Sequence, residues 1–324
     1  MSGDGILVIG SANMDLVVRV ERFPRPGETL FGTNFKMFPG GKGANQAVCS
    51  AKLGQRVHFV GKIGNDPLGE QLFGSMQHDG VLLEAVMRDP SEPTGTALIA
   101  VDEKGQNQIV VVSGSNMRFL PADLENVRGL FGSASVVVLQ LEIPLETVAK
   151  AAELAHEEDA TVILNPAPAR QLPYSLLSFV DFLTPNESEA QLLTGIQITR
   201  RSSAEEAARR LVAQGVKNVL MTLGSEGCLL VNAERADTFP ARRVRPVDTT
   251  AAGDAFNGAF AYALSKREEL DSAIKFANTV AGYSVTKHGA QSSMPTMPEL
   301  EEFTRRLESA PEGARQMSPG HPAR

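Results

Sequence analysis

Short apolar runs alternating with helical stripes constrain this chain more than any other feature. The runs at 6–9, 57–60, 136–141, 161–164, 181–183 and 219–223 are brief and mainly apolar. Strands of that kind are buried on both faces, as in parallel sheets. Amphipathic patterns separate them, among them 145–156 and 204–214, the latter stopped by Gly215. The alternation predicts an α/β fold of three αβα layers around a mostly parallel central sheet.

Two segments break the rhythm. The spans 16–20 with 28–38, and 96–102 with 108–113, read as antiparallel strand pairs without an intervening helix. The turn Glu103-Lys104-Gly105-Gln106 joins the second pair. They predict a small antiparallel β lid at 15–38 and 96–113, set apart from a main domain at 1–14, 39–95 and 114–310. Such a sheet needs cover for its apolar face, from a ligand site or from a second copy. The stretch 311–324, rich in Pro and Gly with little to pack, reads as a disordered tail.

Composition excludes several classes. A formal charge of -7 leaves no footprint for nucleic acid. No apolar run is long enough to span a membrane. Cys49 and Cys228 have no CxxC partner and read as buried reduced thiols, which fits the cytoplasm, or the nucleus in a eukaryotic source. The histidines lack zinc-ligand spacing, and no GxGxxG follows the first strand, which argues against a dinucleotide-binding dehydrogenase.

Chemistry concentrates at Asp248-Thr249-Thr250-Ala251-Ala252-Gly253-Asp254. Phe256, Ala259, Phe260, Ala263 and Leu264 follow at the spacing of a buried helical stripe, so a helix begins between Ala251 and Asp254. The first N–H groups of a helix have no intrahelical acceptor and favour anions. A carboxylate there suits a base that deprotonates a hydroxyl while those N–H groups hold a phosphoryl group. The same residues also fit an ordinary helix start with an acidic first turn.

Polar residues follow several predicted strands: Asn13 and Asp15, Glu142, Asn165, Asn186, then Thr222 and Ser225. In open parallel sheets the crevice beyond the strand ends is where ligands bind. A second centre is Pro39-Gly40-Gly41-Lys42-Gly43-Ala44-Asn45-Gln46-Ala47, where glycines permit close backbone approach and Lys42 adds a cation. It lacks Walker A spacing, and alone it is equally a glycine turn before an alanine helix.

Together, Gly40-Gly41-Lys42-Gly43-Ala44-Asn45-Gln46-Ala47 and the 248–254 segment resemble the hallmark motifs of the ribokinase-like carbohydrate kinases. Gly10-Ser11-Ala12-Asn13-Met14-Asp15, Asn165-Pro166-Ala167-Pro168-Ala169, Thr184-Pro185-Asn186-Glu187-Ser188-Glu189 and Thr222-Leu223-Gly224-Ser225 narrow the resemblance to its ribokinase branch. The similarity runs from about Ile6 to about Phe303.

The resemblance implies transfer of the γ-phosphate of ATP to O5 of D-ribose, giving ribose 5-phosphate and ADP. It implies Asp254 as base and an anion hole from the N–H groups of Ala251, Ala252 and Gly253. Asn13, Met14, Asp15, Gly41, Lys42, Gly43, Asn45, Glu142 and Asp254 itself match positions around the sugar. Carboxylates that accept, a lysine that donates and amides that do either suit a pentose's hydroxyls. Asn186, Thr222, Leu223, Gly224, Ser225, Glu226, Gly227 and Gly253 match positions along the nucleotide, with Asn278 near the adenine. From spacing alone, Asn278 on the flank of a helix could equally bond backbone.

The resemblance also implies cations and a partner. Asp248, Thr250, Ser284, Lys287, Gly289 and Ser293 match a potassium site built mostly of backbone oxygens. Glu189, in the pattern Asn186-Glu187-Ser188-Glu189, is linked to magnesium, through water. The lids of two subunits would pack together as a homodimer. Another sugar or nucleoside kinase of the family, and a non-catalytic sugar sensor on the same fold, stay open at this point.

Overall fold

The computed structural model describes residues 3–309, and the tail expected at 311–324 lies outside them. The strands are β1 (Gly5–Ile9), β2 (Asn13–Arg19), β3 (Asn34–Gly40), β4 (Val57–Val60), β5 (Lys62–Gly64), β6 (Met87–Asp89) and β7 (Gly95–Val101). They continue as β8 (Asn107–Val112), β9 (Ala134–Leu139), β10 (Thr161–Leu164), β11 (Phe182–Leu183), β12 (Asn218–Thr222), β13 (Cys228–Asn232) and β14 (Ala236–Phe239). The helices are α1 (Lys42–Lys52), α2 (Pro67–His78), α3 (Arg128–Phe131), α4 (Leu145–Glu157) and α5 (Tyr174–Leu177). After them come α6 (Glu187–Thr194), α7 (Arg201–Ala213), α8 (Ala252–Ser265), α9 (Leu270–Ser284) and α10 (Met297–Ser309).

The large sheet has the order β14-β13-β12-β11-β10-β9-β1-β4. From β12 to β4 every pairing is parallel, and the β13–β14 hairpin adds an antiparallel edge. Alternation along each strand sorts side chains into two cores. Ile6, Val8, Val136, Val138 and Ile163 face Phe256, Phe260 and Val280 of α8 and α9. Leu7, Ile9, Val137, Leu139 and Val162 face Val148, Leu154 and Leu211 of α4 and α7. Fully burying one such side chain stabilises by about 1.5–3 kcal/mol, so the two-sided sheet is what this pattern drives. No helix among the described residues is long and apolar enough to cross a membrane.

The departing segments make one four-stranded sheet in the order β3-β2-β7-β8. Its two antiparallel pairs are joined by a parallel pairing of β2 with β7. The strand expected at 28–38 starts only at Asn34. Upstream, Pro26 and Gly27 break the extended run, Arg22 pairs with Glu28, and Phe31 is fully exposed. The strand expected at 136–141 ends at Leu139, which frees Gln140 to turn into a buried polar cluster.

Candidate active site

Helices α1 and α8 deliver the central residues. Gly41 precedes α1 at φ 89°, where a Cβ would come within 2.6 Å of the Asn13 nitrogen. Only glycine tolerates both the conformation and the contact. The helix it starts places Asn45 and Gln46 against the first turn of α8. There Asn45 Nδ2 donates to Asp254 Oδ2 and Gln46 Nε2 donates to Asp254 Oδ1, each at 2.9 Å. Asp254 is buried, and both its oxygens accept from amides. Asn45 keeps its buried Oδ1 without a partner, an acceptor available to a hydroxyl.

Beside Asp254 lies a ring of charge. Among the described residues none donates a hydrogen bond to the Asp15 carboxylate, which lies over Gly40, where a Cβ would meet Asp15 Oδ2 at 2.6 Å. Burial, reinforced by Glu142 and Asp254 and opposed by Lys42, pushes Asp15 up to about 7. Burial also works against the Lys42 ammonium. The carboxylates of Asp254, Glu142, Glu189 and Asp15 outweigh it and hold Lys42 above its ordinary value.

Glu142 anchors the loop: its Oε2 accepts from the Lys42 N–H at 3.0 Å and from the Ser11 hydroxyl at 2.5 Å. Asn13 is aimed by a neighbour, since Asn116 Nδ2 donates to its Oδ1 at 2.7 Å. The Asn13 amide nitrogen therefore faces Glu142 and the crevice. Met14, on the opposite pleat, is wholly buried in the core and brings no polar group to the crevice. Gly43 packs on Ser11 and Gly10 and contributes close approach rather than a functional group.

The start of α8 is open. Ala251 adopts the left-handed region at φ 58° and no side chain caps the helix. The N–H groups of Ala251 and Gly253 have no acceptor among the described residues, while that of Ala252 leans to the Thr249 carbonyl at 3.3 Å. One of the three expected anion ligands is thus partly engaged already. The remaining orphan donors and the helix dipole still make an anion site next to Asp254.

The residues expected along the nucleotide lie mostly at and after the ends of β11 and β12. A bridge pairs Asn186 with Thr222, and the Thr222 N–H donates to the Pro185 carbonyl. Leu223 through Gly227 make a tight turn with Gly224, Ser225 and Glu226 exposed. Gly227 lies so close to β14 that a Cβ would clash with the Phe239 carbonyl at 2.1 Å. Asn278 is buried, and its Nδ2 donates to that carbonyl at 3.0 Å. Glu189 has both oxygens committed to capping α6, accepting from the Asn186 N–H at 2.8 Å and from Asn186 Nδ2 at 2.9 Å. Among the described residues no group of three His, Cys, Asp or Glu could hold a metal.

A second loop closes on this edge. Asp248 Oδ2 accepts from the Gly289 N–H at 2.9 Å, and its Oδ1 accepts from the Thr250 N–H and hydroxyl. These bonds outweigh partial burial and hold Asp248 below its ordinary value. Lys287 turns its ammonium over the Tyr283 ring, 5.5 Å from the centroid. Ser284 and Ser293 are buried, and Gln291 of the second loop has a buried amide with neither atom partnered.

Residues 4–297 match the pfkB family carbohydrate kinase model. This chain belongs to that family. Its relatives include the ribokinase of Haemophilus influenzae, 40% identical over 298 residues, covering 92% of this chain and 97% of the relative. A deoxyribokinase of Salmonella typhi is 38% identical over 299 residues, covering 92% of this chain and 98% of its own. Among solved structures, Arabidopsis thaliana ribokinase complexed with ribose and ATP superposes at a TM-score of 0.89, with 34% identity over 96% of this chain and 100% of that one.

In this carbohydrate kinase Asn13, Lys42 and Glu142 are linked to one another and Asn45 reaches Asp254, but the sequence reading passed over most of what orients them. Gln46 and Gln140 are fully buried beside Asp254, and Asn116 is buried behind Asn13. Asn165 accepts from Gln46, and Thr184 donates to Asn257, which donates to the Gly253 carbonyl at 2.8 Å. Gln46 stood inside a quoted motif, and a glutamine on the alanine face of a buried helix was the available signal.

Proposed function

We propose that the chain is an ATP-dependent ribokinase, transferring the γ-phosphate to O5 of D-ribose. The observation that carries this reading is Asp254, gripped by two amides directly beside the open start of α8. The sugar hydroxyl gives its proton to Asp254 as its oxygen attacks the γ-phosphorus, and the bond to the ADP oxygen breaks. The orphan N–H groups of Ala251 and Gly253 stabilise the charge spreading over the transferring phosphoryl group. Asp15, Lys42, Asn13, Asn45 and Glu142 hold the pentose, with Gly41 and Gly43 letting the backbone close on it. Asn186, Thr222 and the turn 223–227 line the nucleotide. The Asn278 bond to backbone supports the adenine wall rather than direct readout.

Potassium fits the loop pair tied by Asp248, with Thr250, Ser284, Gly289 and Ser293 as its oxygen donors; Gln291 in the second loop keeps a buried, unpartnered amide. Lys287 joins only through its carbonyl, its ammonium being turned onto Tyr283. Magnesium neutralises charge on the nucleotide phosphates when bound. Glu189, committed to its cap, acts on it through water at most. The small sheet serves as the lid and as the face of a homodimer, and the cytoplasm suits the enzyme's substrates.

The deoxyribokinase relative supports a second reading, 2-deoxyribose as substrate. ADP release across ribose, 2-deoxyribose, fructose and adenosine, in potassium and in sodium at equal ionic strength, tests both. Ribose turnover that is highest of the four and greater in potassium is expected. No ADP release on any of them, with ribose still bound, leaves a sugar sensor instead.

A further inference from the structure

We infer that Gln46 is the positioning residue for the base, held in its working orientation by Gln140, and that neither touches substrate. This rests on the kinase reading of the same site. Both glutamines are completely buried, so the crevice reaches neither. Gln140 Nε2 donates to Gln46 Oε1 at 2.7 Å, which leaves Gln46 Nε2 as the end that faces Asp254. That nitrogen donates to Asp254 Oδ1 at 2.9 Å and reaches Asn165 Oδ1 at 3.3 Å. Turned the other way, Gln46 would set a carbonyl oxygen against a carboxylate.

The division of labour between neighbours on α1 supports the inference. Asn45 grips the other carboxylate oxygen but also carries a free buried acceptor for the sugar. Gln46 has no spare group: its oxygen is taken by Gln140, its nitrogen by Asp254 and Asn165. Asn165, at the end of β10, ties this cluster on through its Nδ2 to the Thr184 carbonyl. Thr184 then donates to Asn257, and Asn257 to the Gly253 carbonyl. The base and the anion site therefore share one buried frame that begins at Gln46. A bond to an ionised group contributes more than a neutral one, so its loss is felt in the chemical step.

The test is Gln46→Met, which keeps length and removes the donor, alongside Gln140→Met, which keeps Gln46 but frees its amide to turn. For Gln46→Met, kcat on ribose is expected to fall by about ten- to a hundredfold. Ribose affinity by calorimetry should change by less than about threefold. For Gln140→Met the same split is expected with a smaller loss, so the inference stays testable if Gln46→Met does not fold. In an Asp254→Asn background, single-turnover rates should show Gln46→Met costing almost nothing further, because its route to the chemistry is gone. Unchanged kcat in the folded variants overturns the inference. So does a loss as large in the Asp254→Asn background, or ribose affinity falling in step with kcat. A wild-type protein that binds ribose but never phosphorylates it overturns the kinase reading, and this inference with it.

Discussion

Gly258 of α8 lies against Cys49 of α1 with no room for a side chain between them. A Cβ on Gly258 would stand 2.6 Å from the Cys49 Cβ and 2.7 Å from the Gln46 carbonyl oxygen. The Ser50 hydroxyl bridges the same gap, donating to the Gly258 carbonyl at 2.8 Å. This contact sets how near Asn45 and Gln46 come to Asp254. Gly258→Ala must push the helices apart, at a cost of about 1–3 kcal/mol in stability. Turnover should fall more than ribose affinity, since the base loses its donors. Urea denaturation and steady-state kinetics on one preparation check both, and a variant with wild-type midpoint and kcat contradicts this.

Asp254→Asn replaces the proton acceptor with a near-isostere. Turnover is expected to fall by about 10²–10⁴-fold. Ribose should still bind, because Asp15, Lys42 and Glu142 are untouched. Calorimetry with ribose beside an ADP-release assay separates the two effects. Near-normal turnover would remove Asp254 from the role of base.

Asp15 links the site to pH. Its folded value is raised from 3.8 to about 7, by burial first and then by Glu142 and Asp254. Between those values the folded chain holds a proton that the unfolded chain has released. The stability associated with that proton is complete below the unfolded value and declines as pH climbs to about 7. The ligand-free protein should therefore lose stability across that window, and Asp15→Asn should flatten the decline. Ribose affinity should rise over the same range, as the ionised carboxylate is the stronger acceptor. Parallel pH dependences for wild type and Asp15→Asn in thermal melts would exclude this origin.

The small sheet has an outer face to cover. Met37, Leu16, Leu98 and Val110 are cross-strand neighbours in one row, on the pleat opposite Asp15. Leu98 is 48% exposed and Val110 60% exposed, which is costly for a face so apolar. Packing on a second copy relieves this. Wild type is expected to be a dimer by light scattering at micromolar concentration, and Leu98→Asp with Val110→Asp is expected to give a monomer. A wild-type monomer removes the dimer from the proposal.

The layered architecture was legible because burial on both faces of a parallel strand leaves a local mark, as at 6–9 and 161–164. The hallmark loops were legible too, since Gly41 at positive φ and the small residues 251–253 meet backbone demands that side chains rarely satisfy. Sequence also put Asp254 within one helical turn of those open N–H groups.

Only the tertiary structure decided which partners Asp254 has. Its donors lie 208 and 209 residues away along the chain, and no periodicity encodes an approach over that distance. The same holds for Gln140 turning inward where a strand was expected to continue, and for Asn116 orienting Asn13 from beyond the small sheet. The fold likewise showed both Glu189 oxygens engaged in capping its own helix, which leaves only a water-mediated link to magnesium to propose. Hydrogen-bond partners across a packed interface depend on side-chain geometry set by the whole core, whereas turns and buried stripes depend on near neighbours.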